Sequence, residues 1–402
     1  MTETVERVWR EEGARLLATL ARRLGDLELA EDVLQDAMVE ALEHWPHRLP
    51  PNPAGWLATT AWRKAVDRLR RAKAGDEKLA RLARTPTGPA PEDSRLELAF
   101  ACCHPVLTVD QQVALTLRAV CGLSAERIAA GFLVPVPTIG QRLLRAKRRL
   151  RERRVPFTLP GPDELADRLD AVLAVVYLVF NEGYLSGPGP EGRTDLAEEA
   201  LRLGRALELL MPAEPEVAGL VALMELHQAR AAARFDAEGA LVRLADQDRT
   251  RWDKDLADQA VARLDRALAA RRPGAYQIQA SIAALHARAP SLADTDWRQI
   301  RVLYDLLLER SPSPVVVLAR AVATRFLYGP AAALAEIEDT ADRLDGYHLL
   351  HALRSELLED LGRDQEAVAA AERALSLTTS RPEIILLTRR LARLTGPVSE
   401  DG

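Results

Sequence analysis

Apolar residues recur at i, i+3, i+4 and i+7 along almost the whole chain, broken only by short runs rich in proline, glycine and polar residues. Four blocks follow from those breaks. Residues 5–73 hold helical periodicity around one loop, HWPHRLPPNPAG at 44–55, whose four prolines and glycine forbid a continuous helix. Residues 74–93 lose apolar periodicity and end in a Pro/Gly/Thr cluster, the pattern of a flexible linker. Residues 94–154 are helical again and end in a dense basic run. Residues 160–395 read as many helices of similar length, separated by breaks such as SGPGPEG at 186–192 and RRPGAY at 271–276. The β-branched triplet at 315–317 and the VPV at 134–136 are too short for strands and lie beside or around proline, so the expected fold is all-α. Near the C-terminus, 346–377 reads as two amphipathic helices around a glycine turn, with Ala367, Ala371 and Ala374 on one face of the second. Segment 314–344 has a similar shape, and Gly329 and Gly362 lie 33 residues apart, close to a tetratricopeptide period of about 34.

Composition narrows this picture. Of 402 residues, 48% are hydrophobic and only 4% aromatic, which suits packed helices better than a β-sandwich. The longest apolar stretch, 171–180, is half the length of about 20 needed to span a bilayer, and the first residues lack the basic start and apolar run of a signal peptide. Three cysteines exclude a disulfide scaffold, so no membrane partner and a reducing cytoplasm are expected. Charge is unevenly spread. Residues 1–155 carry 26 Lys+Arg against 20 Asp+Glu, a net of +6, and the remainder 28 against 39, a net of −11. A basic front half points to a polyanion partner there, and opposite signs allow intramolecular contact between the halves.

Three constellations carry candidate chemistry. In ELAEDVLQDAMVEALEHW at 28–45, Leu29, Val33, Ala37, Leu42 and Trp45 form an inward stripe. Asp32, Gln35 and Asp36 share the outward face, either as an acidic docking surface or as an ordinary solvated one. Next, WLATTAWRKAVDRLRRAK at 56–73 sets Trp56 and Trp62 beside Arg63, Lys64, Arg68, Arg70 and Arg71. Aromatics beside a basic helix suit unpaired DNA, whose bases stack and whose phosphates need neutralising; the alternative is core tryptophans beside solvated arginines. Third, GLSAERIAAGFLVPVPTIGQRLLRAKRRL at 122–150 has a Ser124 cap, a short helix, a turn near Leu133 and a strongly basic second helix. This is a helix-turn-helix pattern. Gln and Arg can read adenine and guanine bidentately, so Gln141 and Arg145 are base-reading candidates. Lys147 and Arg148 belong with phosphate contacts, and Thr138, Arg142 and Leu144 complete the candidate surface. Adjacent Cys102 and Cys103 with His104 lack the spacing of a zinc site and read as core. Asn181, Glu182, Tyr184, Asp246, Asp248, Arg249 and Asp253 are polar residues in or beside apolar helices. They either line a groove or cap helices and form ion networks. No catalytic triad spacing, phosphate-cradling glycine loop, metal pattern or cofactor motif appears.

In this order, the three constellations resemble a bacterial RNA polymerase sigma factor. The chain is most similar to the extracytoplasmic-function (ECF) group of the sigma-70 family, and to its subgroup with a tetratricopeptide-like C-terminal extension. AEDVLQDA at 30–37 resembles the core-polymerase-binding segment, which implies that Asp32, Gln35 and Asp36 face the β′ clamp helices, with the β subunit a further partner. GWLATTAWRKAVDRLRR at 55–71 resembles the helix that melts and reads the minus-ten promoter element, with Trp62-Arg63 where the family has Arg-Asn. The third constellation resembles the region that reads the minus-thirty-five element. There Pro137-Thr138-Ile139 is followed by Gly140, which offers DNA only its backbone and moves base reading to Gln141, Leu144 and Arg145. LVFNEGYL at 178–185, DQDRTRWD at 246–253 and 285–307 resemble the subgroup's extension, which implies an attached regulator in place of a separate anti-sigma protein. The resulting expectation is a non-enzymatic promoter-specificity subunit with promoter DNA and core polymerase as partners. The competing reading is a helix-turn-helix regulator with a helical partner-binding or ligand-sensing domain and no polymerase docking.

Overall fold

The computed structural model describes residues 2–71, 94–132, 134–185 and 194–396. The linker expected at 74–93 and the break at 186–192 lie outside the described residues. The chain is 76% helical, and among the described residues the one β feature is an isolated antiparallel bridge between Phe235 and Leu241, so the all-α expectation holds. It divides into two units, 1–182 and 183–402.

The first unit opens with α1 (Thr2–Leu24), α2 (Leu27–His44) and α3 (Pro53–Arg71). Gly25, at φ 63°, takes the left-handed conformation that turns the chain out of α1. One residue later the Asp26 carboxylate accepts from Leu29 N at 3.1 Å and starts α2. Leu27, Ala30, Val33, Leu34, Ala37 and Ala41 are the face α2 buries. Leu42, expected inward, is exposed, because Ala41 and Trp45 already fill that end of the stripe. After the proline loop, the Asn52 side chain accepts from Gly55 N at 2.9 Å and seats the first turn of α3. Four helices follow: α4 (Ser94–Cys102), α5 (Val109–Ala119), α6 (Ala125–Gly131) and α7 (Val136–Glu152). Cys102 and Cys103 are fully buried on α4 and just after it. Burial pushes the Cys103 thiol up to about 12, despite the Thr116 hydroxyl beside it. Helix α8 (Pro162–Leu185) follows, and near its start Arg168 donates to the Phe100 carbonyl at 2.5 Å.

The second unit contains α9 (Thr194–Leu210), α10 (Pro215–Gln228), α11 (Lys254–Ala269), α12 (Ala275–Arg288), α13 (Trp297–Arg310), α14 (Pro314–Tyr328), α15 (Pro330–Glu338), α16 (Ala341–Leu344), α17 (His348–Asp360), α18 (Asp364–Leu377) and α19 (Arg381–Leu394). Helix α10 is apolar on every side and packs against α9, α11 and α12. A Cβ on Gly219 would stand 2.9 Å from Gln277 N and 3.1 Å from its Cα, so this glycine sets how closely α10 approaches α12. Because backbone cannot yield as a side-chain tip can, Gly219→Ala is expected to destabilise the unit by about 1–3 kcal/mol in chemical denaturation.

Helices α14 and α15 form one hairpin and α17 and α18 another. Gly329 and Gly362, at φ 87° and 69°, occupy the two turns. The 33-residue spacing therefore marks the same left-handed corner twice. Ala367, Ala371 and Ala374 are fully buried, as close packing of α18 on α17 requires.

Candidate nucleic-acid interface

The acidic face of α2 is where the sequence places it, with Asp32 and Gln35 exposed and Asp36 half-buried, but it is not empty. From α3, Arg68 reaches across and donates to Asp32 at 2.9 Å and to Asp36 at 2.6 Å. Lys64, one turn earlier, pairs with Glu40 at 2.7 Å. These two basic residues thus face α2, whereas Arg63, Arg70 and Arg71 point to solvent. Both tryptophans of α3 are half-buried. Trp56 packs edge-on against buried Trp45, with ring centroids 5.8 Å apart, and Trp62 carries the Arg23 guanidinium 5.2 Å from its ring. Each ring is therefore held by a neighbour rather than free to swing.

The helix-turn-helix assembles as its sequence pattern predicts. Ser124 Oγ accepts from Arg127 N at 3.3 Å and caps α6, while Arg118 donates to the Leu123 carbonyl at 3.1 Å and fixes the chain entering it. Pro135 precedes the first turn of α7 and Pro137 lies within that turn, where a proline loses no helical hydrogen bond. Ile139, Leu143, Ala146 and Leu150 bury one face of α7. The opposite face presents Gly140, Gln141, Leu144, Arg145 and Arg148 to solvent, with Thr138 half-buried at its start. Leu144 is 58% exposed, so it belongs to the outward surface and not to the apolar stripe. Arg142 pairs with Asp110 at 3.2 Å, and Arg148 with Glu152.

Two acids that the sequence pattern did not single out complete this unit. Glu31 on α2 pairs with Lys147 on α7, and Glu28 pairs with Arg151 one turn further along. The Glu31–Lys147 pair is mostly shielded from solvent and the Glu28–Arg151 pair is exposed. Arg22 on α1 adds a contact to Glu97 on α4. Helix α7 is thus tied through Lys147 and Arg151 to the helix bearing the acidic face. The 116 residues between Glu31 and Lys147 leave no local signal of the pairing.

In the second unit, the polar residues singled out from the sequence divide by role. Asp248 and Asp253 are helix caps, accepting from Thr250 N and Leu256 N, each at 2.9 Å. Asp246 pairs with Arg243 at 2.7 Å. Tyr184 and Arg249 join a cluster of rings and cations with Arg230, Arg234 and Trp252. The sequence reading passed over Glu225, which is 1% exposed inside α10 and bonded to Arg205 and Arg263. One acid in the apolar run VAGLVALMEL was its only signal. No helix of the described residues is long and apolar enough to cross a membrane, and the described residues contain no group of His, Cys, Asp and Glu that could hold a metal ion.

Residues 8–75 match the family Sigma-70 region 2, residues 97–150 match Sigma-70, region 4, and residues 168–268 match a family of unknown function (DUF6596). "Uncharacterized protein R00370" from Rhizobium meliloti (strain 1021) is 45% identical over 392 residues, covering 94% of this chain and 93% of its own. No solved structure matches. The region 2 and region 4 matches define a DNA-binding protein of transcription initiation that interacts with core RNA polymerase and promoter DNA. The chain belongs to the sigma-70 family, with the ECF-like arrangement of regions 2 and 4 followed by a C-terminal extension, and it is similar to R00370 over 94% of its length. Sigma-factor families are non-enzymatic transcription factors.

Proposed function

We propose that this chain is a promoter-specificity subunit whose α2 face docks on the β′ clamp helices through Asp32, Gln35 and Asp36, with the β subunit as a second contact, and that the 160–395 extension regulates it. The sigma elements fall within 5–73 and 94–154, on either side of a linker at 74–93. In this reading α3 takes the melted minus-ten strand on Trp56, Trp62, Arg63, Lys64, Arg68, Arg70 and Arg71. Helix α7 takes the minus-thirty-five duplex on Thr138, Gln141, Arg142, Leu144, Arg145, Lys147 and Arg148. The protein supplies recognition in the cytoplasm and the polymerase supplies the chemistry.

The observation that carries the reading is the division of α7 into a buried apolar face and an exposed face bearing Gln141, Arg145 and Arg148. Arg145 has no described ion pair, so its guanidinium is available for a base edge. Arg145→Ala is expected to cost about 1–3 kcal/mol at the promoter and to relax base choice upstream. Arg148→Ala is expected to weaken all sequences alike and to reduce the salt slope by about 1. Identical selectivity profiles for the two variants, measured by fluorescence anisotropy on a library of upstream sites with polymerase present, would refute this division of labour.

Docking is tested with the full chain and core polymerase in the absence of DNA. Asp32→Lys with Asp36→Lys is expected to abolish co-purification while leaving the helical circular dichroism intact. The Arg68 pairs they break are largely solvent-exposed, and such pairs are worth about 0–1 kcal/mol each. A plain helix-turn-helix regulator would show no co-purification before the change.

A further inference from the structure

The second unit holds a group of cations that no neighbouring acid neutralises by direct contact. Arg230 and Arg234 follow α10, and Arg249 lies in a short 3-10 turn before α11. Arg230 Nη2 donates to the Tyr184 hydroxyl at 3.2 Å and lies 3.2 Å from His227 Nδ1. Arg234 sits 4.0 Å above the Tyr184 ring and also bonds its hydroxyl. Trp252 lies under Arg230 and Arg249, at 5.8 and 4.9 Å. Arg249 Nη1 donates to the carbonyls of His286 and Ala289 at 2.6 and 2.5 Å. A continuous run of contacts thus joins Arg234, Tyr184, Arg230, Trp252, Arg249 and His286, drawn from four separate parts of the unit.

The nearby acids are engaged elsewhere. Glu383 accepts from the Thr378 hydroxyl at 2.7 Å and pairs with His348 at 2.8 Å, reaching Arg234 only through space. Asp294 accepts from Ser291 at 2.6 Å and likewise acts on Arg249 at a distance. Among the described residues no carboxylate forms an ion pair with Arg230, Arg234 or Arg249. The two histidines add no counter-charge, since burial first and the arginines second hold His286 down at about 4 and His227 well below its ordinary value.

Within this same cluster, four buried nitrogens lack a hydrogen-bond partner: Arg234 Nε, Arg249 Nη2, Trp252 Nε1 and His286 Nδ1. Trp252 and His286 are 7% and 9% exposed, so water does not reach these groups freely. Three of the four are obligate donors, and a neutral imidazole can present the fourth as a donor too. Buried donors without acceptors are costly, and half-buried cations without counter-charges add to that cost. Both deficits have one chemical remedy, a ligand that is negative and rich in acceptor lone pairs.

We propose that the cluster formed by Arg230, Arg234, Arg249, Trp252 and His286 binds a small-molecule oxyanion, a phosphate or carboxylate group. Guanidinium forks and ring N–H donors match the several lone pairs of such a group, and Tyr184, already accepting from two arginines, holds them in register. The ligand is small because the unpartnered nitrogens expose almost no surface: a phosphate or carboxylate reaches them once the long Arg230, Arg234 and Arg249 side chains shift to admit it, and the face of a folded protein or a membrane does not. The site lies wholly in the extension and stands independently of the promoter reading.

The test is thermal unfolding of the full chain at pH 7.5, titrated with inorganic phosphate or with citrate, each at ionic strength held constant with potassium chloride. A saturating rise in Tm of several degrees is expected with at least one anion. Saturation by phosphate alone identifies a phosphoryl ligand, and saturation by citrate alone a carboxylate. Trp252→Phe keeps an aromatic face and removes the indole N–H, and is expected to raise the saturation midpoint about tenfold, the loss of one good hydrogen bond. Arg230→Gln with Arg249→Gln is expected to abolish saturation, whereas Arg373→Gln, which breaks a surface pair to Asp345, leaves the midpoint unchanged. Absence of any rise beyond the chloride control in the wild-type chain would overturn the proposal. So would midpoints in Trp252→Phe equal to wild type. Because Trp252→Phe leaves all three arginines and an aromatic ring in place, the proposal is decided even if the double arginine variant does not fold.

Discussion

Glu225→Ala is expected to lower the stability of the second unit by about 3–5 kcal/mol, the usual cost of removing one member of a buried ion group. Glu225 accepts from Arg205 at 2.8 and 3.0 Å and from Arg263 at 3.0 and 3.2 Å, with Arg263 also paired to Glu208. Without the Glu225 carboxylate Arg263 keeps only Glu208, and Arg205 keeps no described acid. The size of the loss comes from stranding those charges, not from the worth of the contacts. Two controls separate these contributions. Glu225→Gln, which keeps the shape and one acceptor, is expected to lose less. Replacing Glu225, Arg205 and Arg263 together by Leu, Met and Met is expected to recover most of the loss. Urea denaturation of the three variants measures the series, and a triple variant no better than Glu225→Ala would show that the ion group contributes by its geometry alone.

Acidification is the second large effect, and its sign is fixed by His286. Burial first, then the charges of Arg230 and Arg249, hold this imidazole down at about 4, against about 6.5 in an unfolded chain. Between those values the unfolded chain carries a proton that the folded chain refuses. Stability is therefore present above pH 6.5 and is lost as pH falls toward 4, by about 3 kcal/mol for this one group. His227, next to Arg230 and Arg234 and also depressed by burial, acts in the same direction. Glu383 adds to the loss, since its carboxyl is held low by His348 and Thr378 despite its burial. His286→Asn is expected to flatten the pH dependence over pH 4.5–6.5 and to leave the slope above pH 7 unchanged. Parallel curves for variant and wild type would remove His286 as the cause.

The helices and their capped starts were legible because their signals are local. Ser124 lies three residues before the amide it caps, Gly329 and Gly362 stand at their turns, and the apolar stripe of α7 repeats every turn. The outward position of Leu42 was not legible. It lies at the edge of an apolar arc, and whether an edge residue is buried depends on how wide a face the neighbouring helix covers. Charge partners were legible only in kind. The acids at 32 and 36 predicted a basic partner, and the first one the structure provides is Arg68 of the chain itself. The Glu225 group joins residues 205, 208, 225 and 263, and the pairing of α2 with α7 spans more than a hundred residues. Such contacts are set by the assembled fold, and spacing along the chain carries no trace of them.

If α2 docks on polymerase and α7 on DNA as proposed, the pairing of Glu28 and Glu31 with Arg151 and Lys147 links those two partners thermodynamically. In the free chain, DNA phosphates that approach α7 must first displace carboxylates from two of its cations. A partner that draws α2 away returns those cations to the phosphates without touching DNA itself. Such coupling is reciprocal: whatever factor the first partner adds to DNA affinity, DNA adds to the affinity of the first partner. On that reading the free protein's salt slope on duplex DNA is expected to fall short of its count of basic residues by up to two ions, and the shortfall is expected to disappear once α2 is occupied.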